Sequence, residues 1–440
     1  MRHFLFNNFK RISAYVLWKR QRLTKAGSFV VIGIVAAGVF GIDTRQNLSY
    51  QLFSLFLILI ILAIISSFWF RIRLTVKRDL PKFATIGETL TYQITIHNHT
   101  HKIQQNLVLQ DYAKQQYPNF NDFINTKEPG YSTRNWFDRY IGYPRWLWLI
   151  KMSRGVEIPE KVLPPIPPSY ITVQMQLQPL RRGYVYLNEM IFARPDPFGL
   201  FNALYSVTVN NKLLVLPKRY PVNEITLVGN RKYQRGGVNL AMSVGDAEEF
   251  IGLREYRPGD PLQHIHWKSW AKTGKPIVKE FQTEFLVRQA LILDTFVADS
   301  SSLNLFETVI SVAASFACTP NNYEVLLDLI LVGTQAHCFT SSKGLTDNLL
   351  EILACVKPCT DKKINELYPL VMEHSSSLSS CICILSNWDS ERIKLVQMLR
   401  DIGIPFIAVV VTESELQITD YPEVSVVHVD NVVTDLAKIW

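Results

Sequence analysis

The chain has 440 residues, which is enough for two or three domains of about 100–200 residues each. Only 19% of the residues are charged, below the roughly 25% of an average soluble domain, which indicates membrane segments. The net charge of +8 does not indicate nucleic-acid binding, because seven basic residues and no acidic one lie in residues 1–27. Without those seven, 39 basic residues face 38 acidic ones, so the rest of the chain is nearly neutral.

Two long uncharged runs follow a basic leader at residues 1–25. A membrane-spanning helix needs about 17–25 apolar residues, and the runs predict two such helices, at residues 26–42 and 47–70. The linker around Asp43–Arg45 is too short for anything but a hairpin turn. A cleaved signal peptide is the competing interpretation, which the long basic leader and the second apolar run disfavour.

Positive charge flanks the pair of apolar runs on both sides, since basic residues also follow the second run at Arg71, Arg73, Lys77 and Arg78. The positive-inside rule then predicts a multi-pass protein of the inner (plasma) membrane whose soluble domains are cytoplasmic. Small residues also repeat every four positions in the first run, at Gly33, Ala37 and Gly41. Such a face lets another helix approach closely, so a homo-oligomer through the first span is a further prediction.

The first part of the soluble body, residues 71–225, predicts a β-sandwich. Apolar and polar residues alternate in Thr91–His97 and in Tyr170–Leu177, as is typical of half-buried strands. An insertion at residues 111–170, rich in aromatic residues and proline, is expected to be irregular. Its tryptophans suit either a membrane interface or packing on the sandwich, and the short apolar stretch favours packing.

The last part of the chain, residues 286–440, predicts a doubly wound, parallel α/β sheet. Buried strands alternate with segments of helical spacing, the strands at Leu291–Leu293, Val325–Val332, Cys381–Leu385 and Phe406–Val411, the helices at Glu307–Cys318 and Ser390–Leu399. Sites in such sheets form beyond the carboxyl ends of the strands. Three polar residues are expected there, namely Asp294, Ser386 and Asp389.

All six cysteines lie between Cys318 and Cys383, without the spread of a disulfide framework. A zinc pair at Cys355 and Cys359 is disfavoured, because no second pair has suitable spacing. The cysteines are therefore predicted to be small buried hydrophobic residues, with Cys381 on the same strand face as Cys383.

The densest polar stretch of the chain lies in the segment of residues 226–285. Residues 258–261 predict a tight turn in which Asp260 bonds its own backbone. Residues 264–267 alternate and predict a strand, with His264 and His266 on one face near Asp260. Such a triad suits a metal or an acid–base site, whereas the favoured alternative is a polar network or a partner-binding surface.

This segment resembles the signature of the bacterial family catalogued as domain of unknown function 58. Members show a pattern like G-x-E-F-x-G-x-R-x-Y-x-x-G-D-x-x-R-x-I-H-W, then a basic stretch, Gly and V-K-E-F. Matching positions are Glu249, Phe250, Gly252, Arg254, Tyr256, Gly259, Asp260, Ile265, His266, Trp267, Lys268, Gly274 and Lys279–Phe281. Further matches upstream are Arg181–Gly183 and Asp196–Leu200.

Two positions depart from the family pattern. His264 stands where members usually carry Arg, and Trp270 stands where a small residue is usual. Because the family accepts Arg at position 264, a metal ligand is not expected there. The predicted signature or partner-binding residues are Arg254, Tyr256, Gly259, Asp260, His266, Trp267, Lys268 and Gly274, with Lys272 and Lys275 adding positive charge for an acidic partner.

The resemblance implies two spans, a β-sandwich and a von Willebrand factor A-like α/β domain, and work alongside MoxR-type AAA+ ATPases. Domains of the von Willebrand type often bind a divalent ion through D-x-S-x-S. Here Phe296 and Ala298 replace both serines after Asp294, so neither a metal nor another cofactor is expected. The chain also lacks a P-loop, since Pro276 follows Gly274-Lys275, and it has neither G-x-S-x-G nor H-E-x-x-H.

Three functions follow from these patterns. The leading hypothesis is a membrane-anchored, non-enzymatic scaffold or adaptor that acts with an AAA+ ATPase in the assembly or activation of envelope complexes. The second is an enzyme centred on Asp260, His264 and His266. The third is a metal-dependent binding module.

Overall fold

The computed structural model is a mixed α/β protein with several sheets. It divides into two compact units, one of Met1–Lys218 with Ala298–Glu307 and Leu350–Val356, the other of Arg219–Val297, Thr308–Leu349 and Lys357–Trp440. The structure describes residues 2–40, 47–223, 249–260, 262–282, 287–296, 303–318, 325–332, 336–340, 346–414, 416, 418 and 420–439.

Three helices open the chain, α1 (Arg2–Arg22), α2 (Lys25–Phe40) and α3 (Asn47–Phe68). Among the described residues, one helix is long and apolar enough to cross a membrane, Ser49–Phe68 in α3, with a mean hydropathy of 2.5. The apolar part of α2, Lys25–Val39, is shorter. One candidate span is weak evidence for a membrane protein, and the predicted turn at Asp43–Arg45 lies outside the described residues.

Two glycines of α2, one of them on the predicted small-residue face, lie close to aromatic rings of α3. A Cβ atom on Gly33 would lie 3.0 Å from the Phe56 ring, and one on Gly38 would lie 3.5 Å from the Phe53 ring. Glycine therefore allows the two helices to approach closely within one chain. The face predicted to support a homo-oligomer has an intramolecular partner at Gly33.

Two sheets follow the helices in the first unit. Their strands are β1 (Leu74–Asp79), β2 (Phe83–Thr85), β3 (Leu90–Asn98), β4 (Val108–Ala113), β5 (Val156–Glu157), β6 (Lys161–Val162), β7 (Tyr170–Pro179), β8 (Gly183–Pro195) and β9 (Asn202–Leu216). One sheet has the order β1-β3-β7-β5, and the other has the order β2-β9-β8-β4-β6. The alternation predicted in β3 is confirmed, since Tyr92, Ile94 and Ile96 are buried. Both sheets contribute side chains to one core, among them Ile94 and Phe192.

An ion pair lies inside this core. Arg78 donates to both carboxylate oxygens of Asp111, at 3.1 and 2.6 Å, and Tyr92 Oη donates to the same carboxylate at 2.6 Å. Both side chains of the pair are fully buried. Burial, with the adjacent carboxylate, raises the pKa of Tyr92. Arg78 is therefore part of the folded core, although its position after the apolar run makes it look like a membrane-flanking charge.

The insertion at residues 111–170 is not irregular as predicted. It contains the end of β4 and three helices, α4 (Phe120–Asn125), α5 (Trp136–Ile141) and α6 (Tyr143–Arg154). Trp146 of α6 is fully buried in a cluster with Phe123 and with Phe9 of α1. This contact with the basic leader supplies an apolar partner that local composition does not reveal. Trp146 is therefore packed, as favoured, but against α1 and not on the two sheets as predicted, whereas Trp136 is 74% exposed.

The second unit contains a six-stranded sheet. Its strands are β12 (Val287–Leu293), β13 (Val325–Val332), β14 (Ala336–Thr340), β15 (Ser380–Leu385), β16 (Phe406–Thr412) and β17 (Val424–His428), in the order β14-β13-β12-β15-β16-β17. Neighbours pair in parallel except β13 and β14. The helices are α8 (Leu303–Ala317), α9 (Thr346–Cys355), α10 (Leu367–His374), α11 (Ser390–Ile402) and α12 (Val432–Ala437).

The predicted alternation of strands and helices is confirmed in this sheet. Every residue of β15 is buried, as expected for a continuous apolar strand within a parallel sheet. Cys381 and Cys383 lie in one core cluster with Cys359, and burial raises the pKa of the Cys381 thiol to about 12. The prediction of buried cysteines is wrong for Cys355, which is exposed at the end of α9.

Candidate functional site

The signature segment folds as a two-stranded antiparallel hairpin with a structured connection. Strand β10 (Glu249–Glu255) pairs with β11 (Ile277–Gln282), and Arg254 lies opposite Val278. The connection between the strands is held at its base, because Tyr256 N donates to Pro276 O at 2.9 Å. The paired strands thus hold a connection of about twenty residues between them. We call β10, β11 and their connection the signature hairpin.

Arg254 and Asp260 lock the first turn of the connection. Two parallel hydrogen bonds of 2.7 Å join the guanidinium to the carboxylate, and Arg257 N donates to the same carboxylate at 2.8 Å. The Arg254 hydrogen bonds, with the backbone bond, lower the pKa of Asp260 to about 2. Gly259 adopts a φ of +109°, which side-chain-bearing residues rarely adopt. The predicted bond between the Asp260 side chain and the backbone of its turn is present, with Arg257 N as the donor.

The predicted strand at residues 264–267 is wrong. A short 3₁₀ helix covers Leu262–His264, and helix α7 covers Trp267–Thr273. Only Ile265 makes a β-bridge, to Val278, and His266 N then donates to Ile277 O at 2.8 Å. Beyond that bond the chain is helical, and Trp267 and Trp270 stack at the spacing of one helical turn. Gly274, at a φ of +70°, ends the helix.

Asp260, His264 and His266, the disfavoured alternative of a metal or acid–base triad, do not form a group that could hold a metal ion. The Asp260 carboxylate binds Arg254, and His266 Nδ1 lies 2.7 Å from Ser269 Oγ. Among the described residues, no group of three His, Cys, Asp or Glu side chains could hold a metal ion. His266 instead stands at the start of α7, bonded within its own turn.

The connection of the signature hairpin exposes both large apolar side chains and lysines. Leu262 is 67% exposed and Trp267 is 64% exposed, and the Trp267 and Trp270 rings stack with centroids 5.3 Å apart. Three lysines of the same connection are also exposed, namely Lys268, Lys272 and Lys275. Lys275 is joined to Glu255 at 3.3 Å. A large exposed aromatic ring with a basic rim is typical of a protein-binding surface.

A second polar cluster lies at the carboxyl ends of β12 and β15, where the strand order reverses. Asp294 is fully buried and accepts from Ser386 Oγ at 2.7 Å and from Ser386 N at 2.9 Å. Arg392 Nε donates to the same carboxylate oxygen at 2.7 Å, and Arg392 Nη1 donates to Asp389. The three residues expected at the strand ends are therefore brought together.

Arg392 was missed by sequence reasoning, and it changes what this cluster does. Burial lowers the pKa of its guanidinium, but Asp294 and Asp389 outweigh burial and raise it overall. The guanidinium thus supplies the positive charge that a buried carboxylate needs. The available signal was the spacing of Asp389 and Arg392, three residues apart at the start of α11, where Asp389 caps the helix.

The comparisons with known proteins agree with the resemblance. Residues 252–367 match the family described as "Protein of unknown function DUF58". The predicted resemblance to this family is confirmed over those residues. The DUF58 match covers most of the signature hairpin and continues into the six-stranded sheet as far as the start of α10.

One relative is the uncharacterized protein YeaD of Bacillus subtilis (strain 168), 24% identical over 180 residues. That match covers 40% of this chain and 42% of YeaD, so it spans less than half of either protein. A crystal structure of a mutant Salmonella alpha-2-macroglobulin matches 36% of this chain and 9% of its own, at 11% identity and a TM-score of 0.19. A likeness that low carries no argument about the fold of this protein.

Proposed function

We propose that this protein is a membrane-anchored, non-enzymatic scaffold or adaptor that binds a MoxR-type AAA+ ATPase through the signature hairpin. The observation that carries the proposal is the exposed Trp267 beside exposed lysines, on a turn that Arg254 and Asp260 hold in place. A preorganised aromatic anchor with a basic rim suits an acidic surface on a partner protein.

The architecture supports an anchored scaffold. Helix α3 supplies one apolar segment of spanning length, and α2 would form the second span of a cytoplasm-facing hairpin in the inner membrane. The two sheets that share one core support a β-sandwich. The sheet order and its antiparallel edge strand β14 support a von Willebrand factor A-like domain in which Arg392 takes the place of a metal ion.

The site chemistry supports binding over catalysis. A catalytic triad would need Asp260 to orient a histidine, yet its carboxylate is engaged by Arg254 through two bonds. The buried carboxylate of Asp294 is likewise occupied by a guanidinium. Both acids therefore act as structural partners of arginine.

The test is affinity purification of the tagged full-length protein from its native membrane after gentle cross-linking. We expect an AAA+ ATPase to co-purify, and its recovery to fall about 30-fold for Trp267→Ala, since an aromatic anchor contributes about 2 kcal/mol or more. Lys268→Glu should also reduce recovery. The matched control is Lys394→Glu, which reverses an exposed charge on α11 and should leave recovery unchanged.

Equal recovery with all variants would contradict the hairpin as the binding surface. Recovery of no ATPase even with the unaltered protein would contradict the adaptor role. Far-ultraviolet circular dichroism of each variant checks that a loss of recovery does not come from unfolding.

A further inference from the structure

Helix α1 has one face that is buried against the insertion. Phe9 is buried between Phe123 and Tyr143, at ring-centroid distances of 6.1 and 5.3 Å. Trp146 Nε1 donates to Ser13 Oγ at 2.6 Å on the same side of α1. The basic leader is therefore a folded helix fixed to the first unit, and this packing determines which of its residues face outward.

The opposite face of α1 carries aromatic rings. Phe4 is 68% exposed, Tyr15 is 59% exposed and Trp18 is 49% exposed, while Arg11 is exposed between them. At 3.6 residues per turn these four positions fall within about 60° of each other around the helix. Tyr15 and Trp18 stack with ring centroids 6.1 Å apart. A soluble surface gains nothing from such a row of rings.

The charge of α1 has one sign. The helix contains no acidic residue and six basic ones, Arg2, Lys10, Arg11, Lys19, Arg20 and Arg22. Among the described side chains of α1, Arg20 alone forms an ion pair, to Glu160 at 3.1 Å. The positive charge is therefore largely uncompensated within the unit that carries it. An anionic surface would complement it.

The end of α1 is held at the start of the apolar helix α2. Thr24 Oγ1 accepts from Gly27 N at 3.0 Å at the beginning of α2 and donates to Gly199 O at 2.6 Å. Leu200 and Phe201 then pack against Ala63, close to the end of α3. The start of α2 and the end of α3 therefore both lie near the end of α1. This places α1 at the level where the chain would enter a bilayer.

We propose that α1 lies in the headgroup region of the membrane and binds anionic phospholipids through the face formed by Phe4, Arg11, Tyr15 and Trp18. The proposal rests on the proposed membrane anchoring. Tryptophan and tyrosine favour the interface because they are apolar with a polar end. Each basic residue near an anionic leaflet adds about 1 kcal/mol of attraction. Continuity with α2 selects a lipid surface over a soluble partner.

The test uses the full-length protein in bilayers of phosphatidylcholine, with or without phosphatidylglycerol. Trp18→Cys carries an environment-sensitive fluorophore in a Cys355→Ser background, which removes an exposed native thiol. Lipids with a spin label near the headgroup quench a fluorophore that lies in the interface. Ile58→Cys on α3 reports insertion, and Met372→Cys on α10 is the soluble control.

We expect quenching at position 18 that increases several-fold with phosphatidylglycerol, quenching at 58 by lipids labelled deeper in the chain, and none at 372. Arg11→Gln with Lys19→Gln should remove the dependence on phosphatidylglycerol at position 18 while position 58 stays quenched.

Quenching at 58 without quenching at 18 would overturn the lipid-binding face and leave the membrane anchor intact. Quenching at neither position would overturn both. A signal at 18 that changes with the protein-to-lipid ratio, without quenching, would assign this face to a second copy of the chain and overturn the lipid assignment.

Discussion

The second unit uses the same pair of side chains, arginine and aspartate, in two opposite environments. Arg392 and Asp294 meet at the carboxyl ends of buried strands, where the carboxylate has no exposure. Arg254 and Asp260 meet in a surface turn, where a third of the arginine side chain is exposed. Breaking a buried pair leaves an uncompensated charge inside the protein and therefore destabilises the whole fold, whereas a surface pair mainly fixes the conformation of its loop.

The largest effect is expected from breaking the buried pair. Arg392→Met leaves the Asp294 carboxylate buried without its cation, which should lower the free energy of unfolding by about 3–5 kcal/mol. Urea unfolding of the full chain in detergent, followed by fluorescence, measures the loss. The matched control is Arg400→Met on the same helix, whose bond to Glu423 is partly solvent-exposed and contributes about 0–1 kcal/mol. Equal losses in the two variants would contradict the comparison.

A smaller effect on stability, with a larger one on binding, is expected at the surface pair. Arg254→Gln removes both bonds to Asp260 and frees the turn that precedes α7. The urea midpoint should stay close to that of the unaltered protein. Recovery of the proposed ATPase partner should fall, because the proposed binding surface is no longer preorganised. A midpoint that drops as far as that of Arg392→Met would show that this pair also holds the fold.

The smallest effect is a pH dependence confined to the surface turn. Because the folded pKa of Asp260 is lowered from 3.8 to about 2, the turn is stabilised by its ionised form above pH 4. That stabilisation is lost as the pH falls from about 4 through 2. The side-chain carboxyl resonance of Asp260, assigned with Asp260→Asn, should titrate near pH 2. A midpoint near 4 would contradict the paired geometry.

Local pattern was sufficient for the regular parts of the fold. Alternation predicted β3 and β7, and the switch to apolar strands separated by helical spacing predicted the parallel sheet. Both signals depend on the spacing of apolar residues along the chain, which can be seen directly in a sequence. The family was likewise evident from one dense motif, and residues 252–367 bear it out.

Pattern failed where distant contacts decide the local structure. The insertion forms helices because Trp146 buries itself against α1, more than a hundred residues earlier in the chain. The alternation at residues 264–267 does not continue β-pairing, because pairing ends at His266 and the tryptophans stack instead.

By itself, the sequence determined the alternating strands and helices of the parallel sheet, the apolar helices and the signature that resembles the family. Only the tertiary structure decided which charges meet, because Asp294 and Arg392 lie 98 positions apart and nothing local pairs them. It also decided that Arg78 is a core residue and that one face of α1 is buried while the other stays aromatic and exposed. The physical reason is that periodicity is a local property, whereas desolvation depends on everything that packs around a side chain.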